Sequence, residues 1–255
     1  MICGRRRRLV FAWLTAAALT TAGCGTFDRD PTATWDADRL YKEAKNEMTV
    51  GNWKRARELL EKLEARYPFG RYAQQAQLEI AYTYYKEGEP AQAVSTIERF
   101  LRLYPNHVHA DYAYFLKGLS LFSDDLGILG RRFRDPSSRD PQAMREAFDA
   151  YKALVTRFPD SRYVQPAIAR MNYLVNALAQ SEVNIARHYL QRGAYLAAIQ
   201  RAQAALQDYG GAPAAEEALA ILVKAYEALG LQDLRRDAER VLLANYPHSS
   251  FLKAR

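Results

Sequence analysis

AKNEMTVGNWKRARELLEKLEARYP (residues 44–68) is answered 37 positions later by AYTYYKEGEPAQAVSTIERFLRLYP (residues 81–105). Each stretch opens on alanine, reaches a glycine seven residues on, places a second alanine five after that, and closes on proline 17 after the glycine. Glycine ends a helix because it adopts the left-handed cap at little cost. Proline closes the second helix because it cannot continue one. Both stretches therefore read as helix, glycine turn, helix. Ala44, Gly51, Ala56, Leu60, Leu63 and Pro68, then Ala81, Gly88, Ala93, Ile97, Phe100 and Pro105, hold one register. The small residues let the two helices of a pair approach closely.

The punctuation continues along the chain. Gly230 and Pro247 keep the spacing of 17, and Gly193 and Gly210 keep it with Gly in place of Pro. The period is close to the 34 residues of a tetratricopeptide repeat. No convincing alternating strand pattern follows residue 35. The predicted fold is all-α, a solenoid of five such helical hairpins in a right-handed superhelix, each burying its apolar face on its neighbours. Repeats 1–3 take residues 35–160 and repeats 4–5 residues 161–247. The third repeat pairs 111–122 with 147–159, with Ala147, Tyr151, Leu154 and Pro159 in register, around a long insertion at 123–141. The fourth opens with an unusually long helix from Ala167 to Arg192, and a fifth pair spans 214–246. The polar tail, 248–255, is expected to fray.

The N-terminus carries Arg5 to Arg8, a short apolar run and small residues, the pattern of a secretory signal peptide over 1–23. Its apolar run of 13 residues is short of a bilayer span. Thr21-Ala22-Gly23-Cys24 resembles the bacterial lipobox, with Thr21 in place of the usual aliphatic residue. Cleavage before Cys24 removes Cys3 and leaves a single cysteine, which calls for an explanation in a secreted chain. An S-diacylglycerol with an N-acyl group on Cys24 supplies one, since two or more acyl chains give stable anchoring. Gly25, where inner-membrane lipoproteins carry Asp, points to the outer membrane, periplasmic face. Residues 24–34 then read as the lipidated cysteine and a flexible tether.

The leader also takes four arginines and no acid, so 36 basic residues against 29 acidic become 32 against 29. A nucleic-acid footprint is not indicated. No catalytic residue and no metal site are expected, and no cofactor beyond the covalent lipid. His107 and His109 follow Pro105 in a turn, and Asp124 and Asp125 solvate the insertion.

The surface with binding character is the concave face. Helical spacing puts one stripe of each first helix there. These are Tyr41, Lys45 and Met48, then Leu78, Tyr82 and Tyr85, then Phe115, Leu119 and Phe122 with Tyr112 nearby. Such a groove, edged by Lys45 and Lys86, suits an extended peptide with large apolar side chains. The same rings could instead pack between repeats.

YPFGRYAQQAQLEIAYTYYK (67–86), RFLRLYPNHVHADYAYFLKGL (99–119), SSRDPQ (137–142) and HYLQRGAYLAAIQR (188–201) resemble the BamD family, lipoproteins of the outer-membrane β-barrel assembly machine. The likeness spans nearly the whole mature chain and includes the insertion. It departs at Arg235, where a small residue is expected. The resemblance implies a non-enzymatic scaffold that binds the POTRA portion of BamA and works beside other lipoproteins of that machine. It further implies that unfolded outer-membrane proteins are recognised by signals near their C-termini, with the groove of repeats 1–3 as receptor. Repeats 4–5 are expected to meet BamA, with Arg192 and Arg201 beside the Gly193 turn as charged contacts.

Two other readings compete. A periplasmic repeat scaffold coordinating cell division and peptidoglycan synthesis shares the step Phe158-Pro159-Asp160-Ser161-Arg162-Tyr163, but such proteins usually lack a lipobox and this insertion. A peptidoglycan hydrolase on a helical superhelix would need a catalytic domain for which no residues are left.

Overall fold

The computed structural model describes residues 30–122 and 140–252. The signal peptide, Cys24, residues 123–139 of the insertion and the last three residues of the tail lie outside them. Among the described residues there are ten α-helices and no strand. They are α1 (Ala37–Thr49), α2 (Trp53–Arg66), α3 (Ala73–Glu87), α4 (Pro90–Leu103), α5 (Ala110–Leu121), α6 (Pro141–Arg157), α7 (Val164–Gln191), α8 (Tyr195–Tyr209), α9 (Ala215–Ala228) and α10 (Gln232–Asn245). Each helix packs against the next in sequence, which makes the molecule an all-α solenoid.

Local chemistry sets the ends. Gly51, Gly88, Gly193 and Gly230 turn between paired helices at φ of 79°, 77°, 74° and 72°, where a side chain would be strained. Asp36 caps α1 by accepting from the Arg39 amide at 2.8 Å, and Asp140 caps α6 by accepting from Gln142 at 2.9 Å. Pro90 and Pro141 open their helices, where the missing amide has no partner to lose.

The expected small residues Ala44, Ala56, Ala81, Ala93 and Ala147 are all fully buried, as is Ala198 in the fourth hairpin. In the last hairpin Arg235 turns its guanidinium to Glu239 at 2.6 Å. Ala238, one turn on, supplies that helix's buried small side chain. Between α5 and α6 the approach is closer still: a Cβ on Gly118 would lie 2.4 Å from the Tyr151 ring.

Three boundaries differ from expectation. Helix α7 starts at Val164 rather than Ala167, because Pro166 lies in the first turn, where its lack of an amide costs no helical bond. Residues 30–34 are not a tether. Asp30 accepts from Lys62 at 2.8 Å and pairs with Arg66, and Thr32 is fully buried. Nor does the start of the tail fray: Ser249 is buried, and Ser250–Leu252 form a 3-10 turn whose Phe251 packs on Leu219, Ala220 and Leu242.

Candidate functional site

A cavity of about 360 Å³ opens across α1, α3, the start of α5 and the turn before α7. Lys45 and Met48 come from α1, and Gln75, Leu78, Glu79 and Tyr82 from α3. His109 and Tyr112 come from the start of α5, and Arg162 and Tyr163 from the turn before α7. Burial, then the Tyr82 and Tyr163 phenols, raise the Tyr112 hydroxyl above its ordinary pKa, so it stays protonated near neutrality. The Tyr112 and Tyr163 rings lie 5.5 Å apart, and Arg162 stacks over Tyr163 at 4.8 Å.

Glu79 organises the other wall. Its Oε1 accepts from the Tyr41 hydroxyl at 2.8 Å, from Lys45 Nζ at 3.0 Å and from Gln75 Nε2 at 3.2 Å. Its Oε2 is buried with no hydrogen-bond partner in the structure. Burial first, then the Glu79 charge, push the Tyr41 phenol upward, which keeps it a donor. Tyr41 also stacks on Tyr72 at 4.4 Å. The cavity is thus walled by the Tyr82, Tyr112 and Tyr163 rings within a lining more polar than apolar, with cations at Lys45 and Arg162.

Of the residues singled out by helical spacing, Lys45, Met48, Leu78, Tyr82 and Tyr112 meet in this cavity. Tyr41 stands behind it on Glu79, and Tyr85 lies 6.3 Å from Tyr82. Phe115 and Phe122 do not face open groove. They are 9% and 7% exposed, and pack on Tyr163 and Tyr173, 5.0 and 5.7 Å away. Leu119 lies against the same cluster. The helix α5 stripe therefore belongs largely to the seam between repeats. Lys86 sits over the Trp53 ring at 5.5 Å rather than on the cavity rim. Gln75, Glu79, His109, Arg162 and Tyr163 were not expected. The last three are turn residues, and periodicity within helices does not reach them.

In the C-terminal half, Arg192 is exposed at the end of α7. Arg201 is half exposed but not unpaired: its Nη1 donates to Glu182 at 3.1 Å, and Glu182 is only 8% exposed. Arg145 approaches the same carboxylate at 3.9 Å. A second cavity, of about 280 Å³, lies beside this pair between α6, α7 and α8, lined by Phe148, Val175, Leu178 and Tyr209 with Arg145, Asp149 and Asp208.

Comparison with known proteins agrees along the chain. Outer membrane protein assembly factor BamD of Neisseria meningitidis serogroup A is 45% identical over 250 residues, 97% of this chain and 94% of that one. The protein of the same name from Xylella fastidiosa is 39% identical over 219 residues, 86% of this chain and 75% of its own. Among solved structures, a tetratricopeptide repeat protein from Parabacteroides merdae aligns with 84% of this chain and 68% of its own, at 14% identity and a TM-score of 0.40. Residues 34–242 match the YfiO family, described as outer membrane lipoprotein. By this match and these identities, the chain belongs to the YfiO (BamD) family of outer-membrane lipoproteins.

Proposed function

We propose that this chain is a lipid-anchored, non-enzymatic scaffold on the periplasmic face of the outer membrane, serving the assembly of β-barrel proteins there. Cys24 carries the lipid. The cavity between α1, α3, α5 and α7 receives an extended, apolar segment from near the C-terminus of an unfolded outer-membrane protein. The α7–α10 half holds the POTRA portion of BamA, with Arg192 and the outer donors of Arg201 as charged contacts. Other lipoproteins of the same machine join this assembly.

The observation that carries the groove assignment is the meeting of the Tyr82, Tyr112 and Tyr163 rings with Lys45 and Arg162 around one cavity. Tyr82 and Tyr112 offer ring faces to large side chains, while Lys45 and Arg162 suit a terminal carboxylate. Such clients expose unpaired strand edges that aggregate when free, so a fixed acceptor shortens their exposed life.

The test is photo-crosslinking of a C-terminal client peptide to the full-length protein, beside a scrambled peptide. Tyr82→Ala should lose about fivefold or more in capture, the loss expected of an interface anchor, with unchanged helical content. Equal capture by both peptides, or by Tyr82→Ala, overturns the groove assignment. Incorporation of labelled fatty acid into the wild type but not Cys24→Ser checks the anchor. Co-purification of BamA from detergent-solubilised membranes checks the docking half, and recovery of division or peptidoglycan-synthesis proteins instead would favour the competing scaffold.

A further inference from the structure

Phe69 is 101% exposed, Val108 80% and Leu103 56%. They sit in or beside the turns that lead from one hairpin to the next, after α2 and after α4. In a stack of antiparallel hairpins all such turns share one edge, and the glycine turns share the opposite one. Scattered apolar residues on a surface are ordinary and by themselves say nothing.

What distinguishes this edge is where the chain enters the fold. Asp30, the first described residue, is bound by Lys62 and Arg66 in the last turns of α2, and Arg66 Nη1 also donates to the Thr32 carbonyl at 2.5 Å. Tyr67, the next residue, donates its hydroxyl to the Trp35 carbonyl at 3.2 Å. The N-terminal segment is thus fastened beside the Phe69 turn. Cys24 is six residues before Asp30, and a chain extends at most about 3.6 Å per residue, so the lipidated residue stays within about 22 Å of that point. The Gly51 turn lies at the far end of α2, about 20 Å further off for a helix of this length.

We infer that the edge bearing Phe69, Leu103 and Val108 faces the phospholipid leaflet, with Phe69 seated in its interfacial zone. The inference rests on acylation of Cys24 and goes beyond it by orienting the folded body on the bilayer. The lipid supplies the anchoring, and the short connection to Asp30 selects which edge is presented, since the glycine-turn edge bears exposed apolar residues of its own at Val50, Leu196, Leu231 and Leu234. Arg102, exposed beside Leu103, adds a cation suited to phosphate headgroups. His109 and Arg162 belong to the same set of turns and to the concave cavity, so this orientation points the cavity's rim toward the membrane.

The experiment uses mature, acylated full-length protein with a single fluorophore-bearing thiol at F69C, V108C or V50C. Val50 is 77% exposed in the Gly51 turn of the opposite edge. Each protein is reconstituted into phospholipid vesicles with brominated acyl chains. Quenching and a blue shift at positions 69 and 108, with neither at 50, are expected. A protein that floats with the vesicles but is unquenched at 69 and 108 overturns the orientation while leaving the anchor intact. Equal quenching at 50 overturns it as well. Because Cys3 leaves with the leader, the unsubstituted mature chain has no thiol but that of Cys24. Label uptake by that chain, or failure to float, overturns the acylation reading and the orientation with it.

Discussion

The two halves of the solenoid are packed with different side chains. In the N-terminal half the seams hold Leu59, Leu60, Leu63, Ile97, Phe100 and Leu116, with Tyr67, Tyr72, Tyr82 and Tyr112 leaning on them. In the C-terminal half the core around α7, α8 and α9 is mostly alanine, including Ala179, Ala186, Ala198, Ala202, Ala205 and Ala218. Long side chains hold helix axes apart, and where their rings meet on the concave side they leave a cavity. Alanines let helices approach closely and lose almost no side-chain entropy on burial. The larger cavity lies in the half packed with long side chains. In the C-terminal half the seam of α8 and α9 is packed on small side chains, its cavity lies at the junction of α6, α7 and α8, and ion pairs such as Arg187–Glu217, at 2.7 Å, and Arg201–Glu182 tie its helices together.

This contrast makes opposite substitutions damaging in the two halves. Leu60→Ala removes a fully buried side chain and should lower stability by about 2–5 kcal/mol through the cavity it leaves. Ala202→Leu adds volume where none is free and should cost about 1–3 kcal/mol. Urea titrations followed by circular dichroism measure both. An Ala202→Leu protein as stable as the wild type would show that the alanine seam has slack, and the contrast would fail.

Gly118 sharpens the same comparison at the boundary between the halves. Gly118→Ala drives a methyl group into the buried Tyr151 ring, and the expected loss is about 1–3 kcal/mol. Adding Tyr151→Leu to it should restore part of that loss, because the clashing ring is gone. No recovery in the double variant would assign the effect to the α5 backbone instead.

The helix pairs were legible because glycine and proline punctuate them at a fixed spacing, and the four turn glycines adopt the left-handed φ that spacing implied. The concave stripe was only half legible. Helical periodicity identifies a face, but Phe115 and Phe122 share theirs with the seam to the next hairpin, and nothing in their spacing separates the two. Glu79 on the cavity wall escaped because its partners Tyr41 and Lys45 are 38 and 34 residues away. The pairing of Arg201, expected as a charged BamA contact, escaped for the same reason, its carboxylate partner Glu182 lying one helix earlier.

That pairing changes what an Arg201 substitution can test. Arg201→Glu sets a second carboxylate beside the nearly buried Glu182, with only Arg145 left near it. A stability loss of about 1–3 kcal/mol is expected. Arg192→Glu, on an exposed side chain, should stay within about 0.5 kcal/mol of wild type. Lost BamA retention in a well-folded Arg192→Glu protein therefore speaks for a contact. In Arg201→Glu it speaks for one only after the folded fraction has been measured. Equal stability of the two variants would show that Arg145 suffices for Glu182.

The smallest effect belongs to the N-terminal clamp, the point at which the described body begins. Hydrogen bonds from Lys62 and from the Thr32 amide and hydroxyl hold the Asp30 carboxyl well below the usual carboxylate range. A carboxyl depressed in the folded state contributes its stabilisation above its unfolded value, about pH 4, and loses it as pH falls through the folded one. The Thr32 amide donates to Asp30 Oδ1 at 3.0 Å, so its hydrogen exchange, followed by NMR, reports the clamp directly. Protection should hold near neutrality and fade below about pH 4. In Asp30→Asn, which keeps an acceptor but loses the charge that Lys62 and Arg66 bind, protection should be weaker and independent of acid in that range. Unchanged protection in that variant would mean that burial of Thr32 alone fastens the segment. The clamp would then be incidental, and the N-terminal half would begin at Trp35, as the composition of residues 24–34 implied.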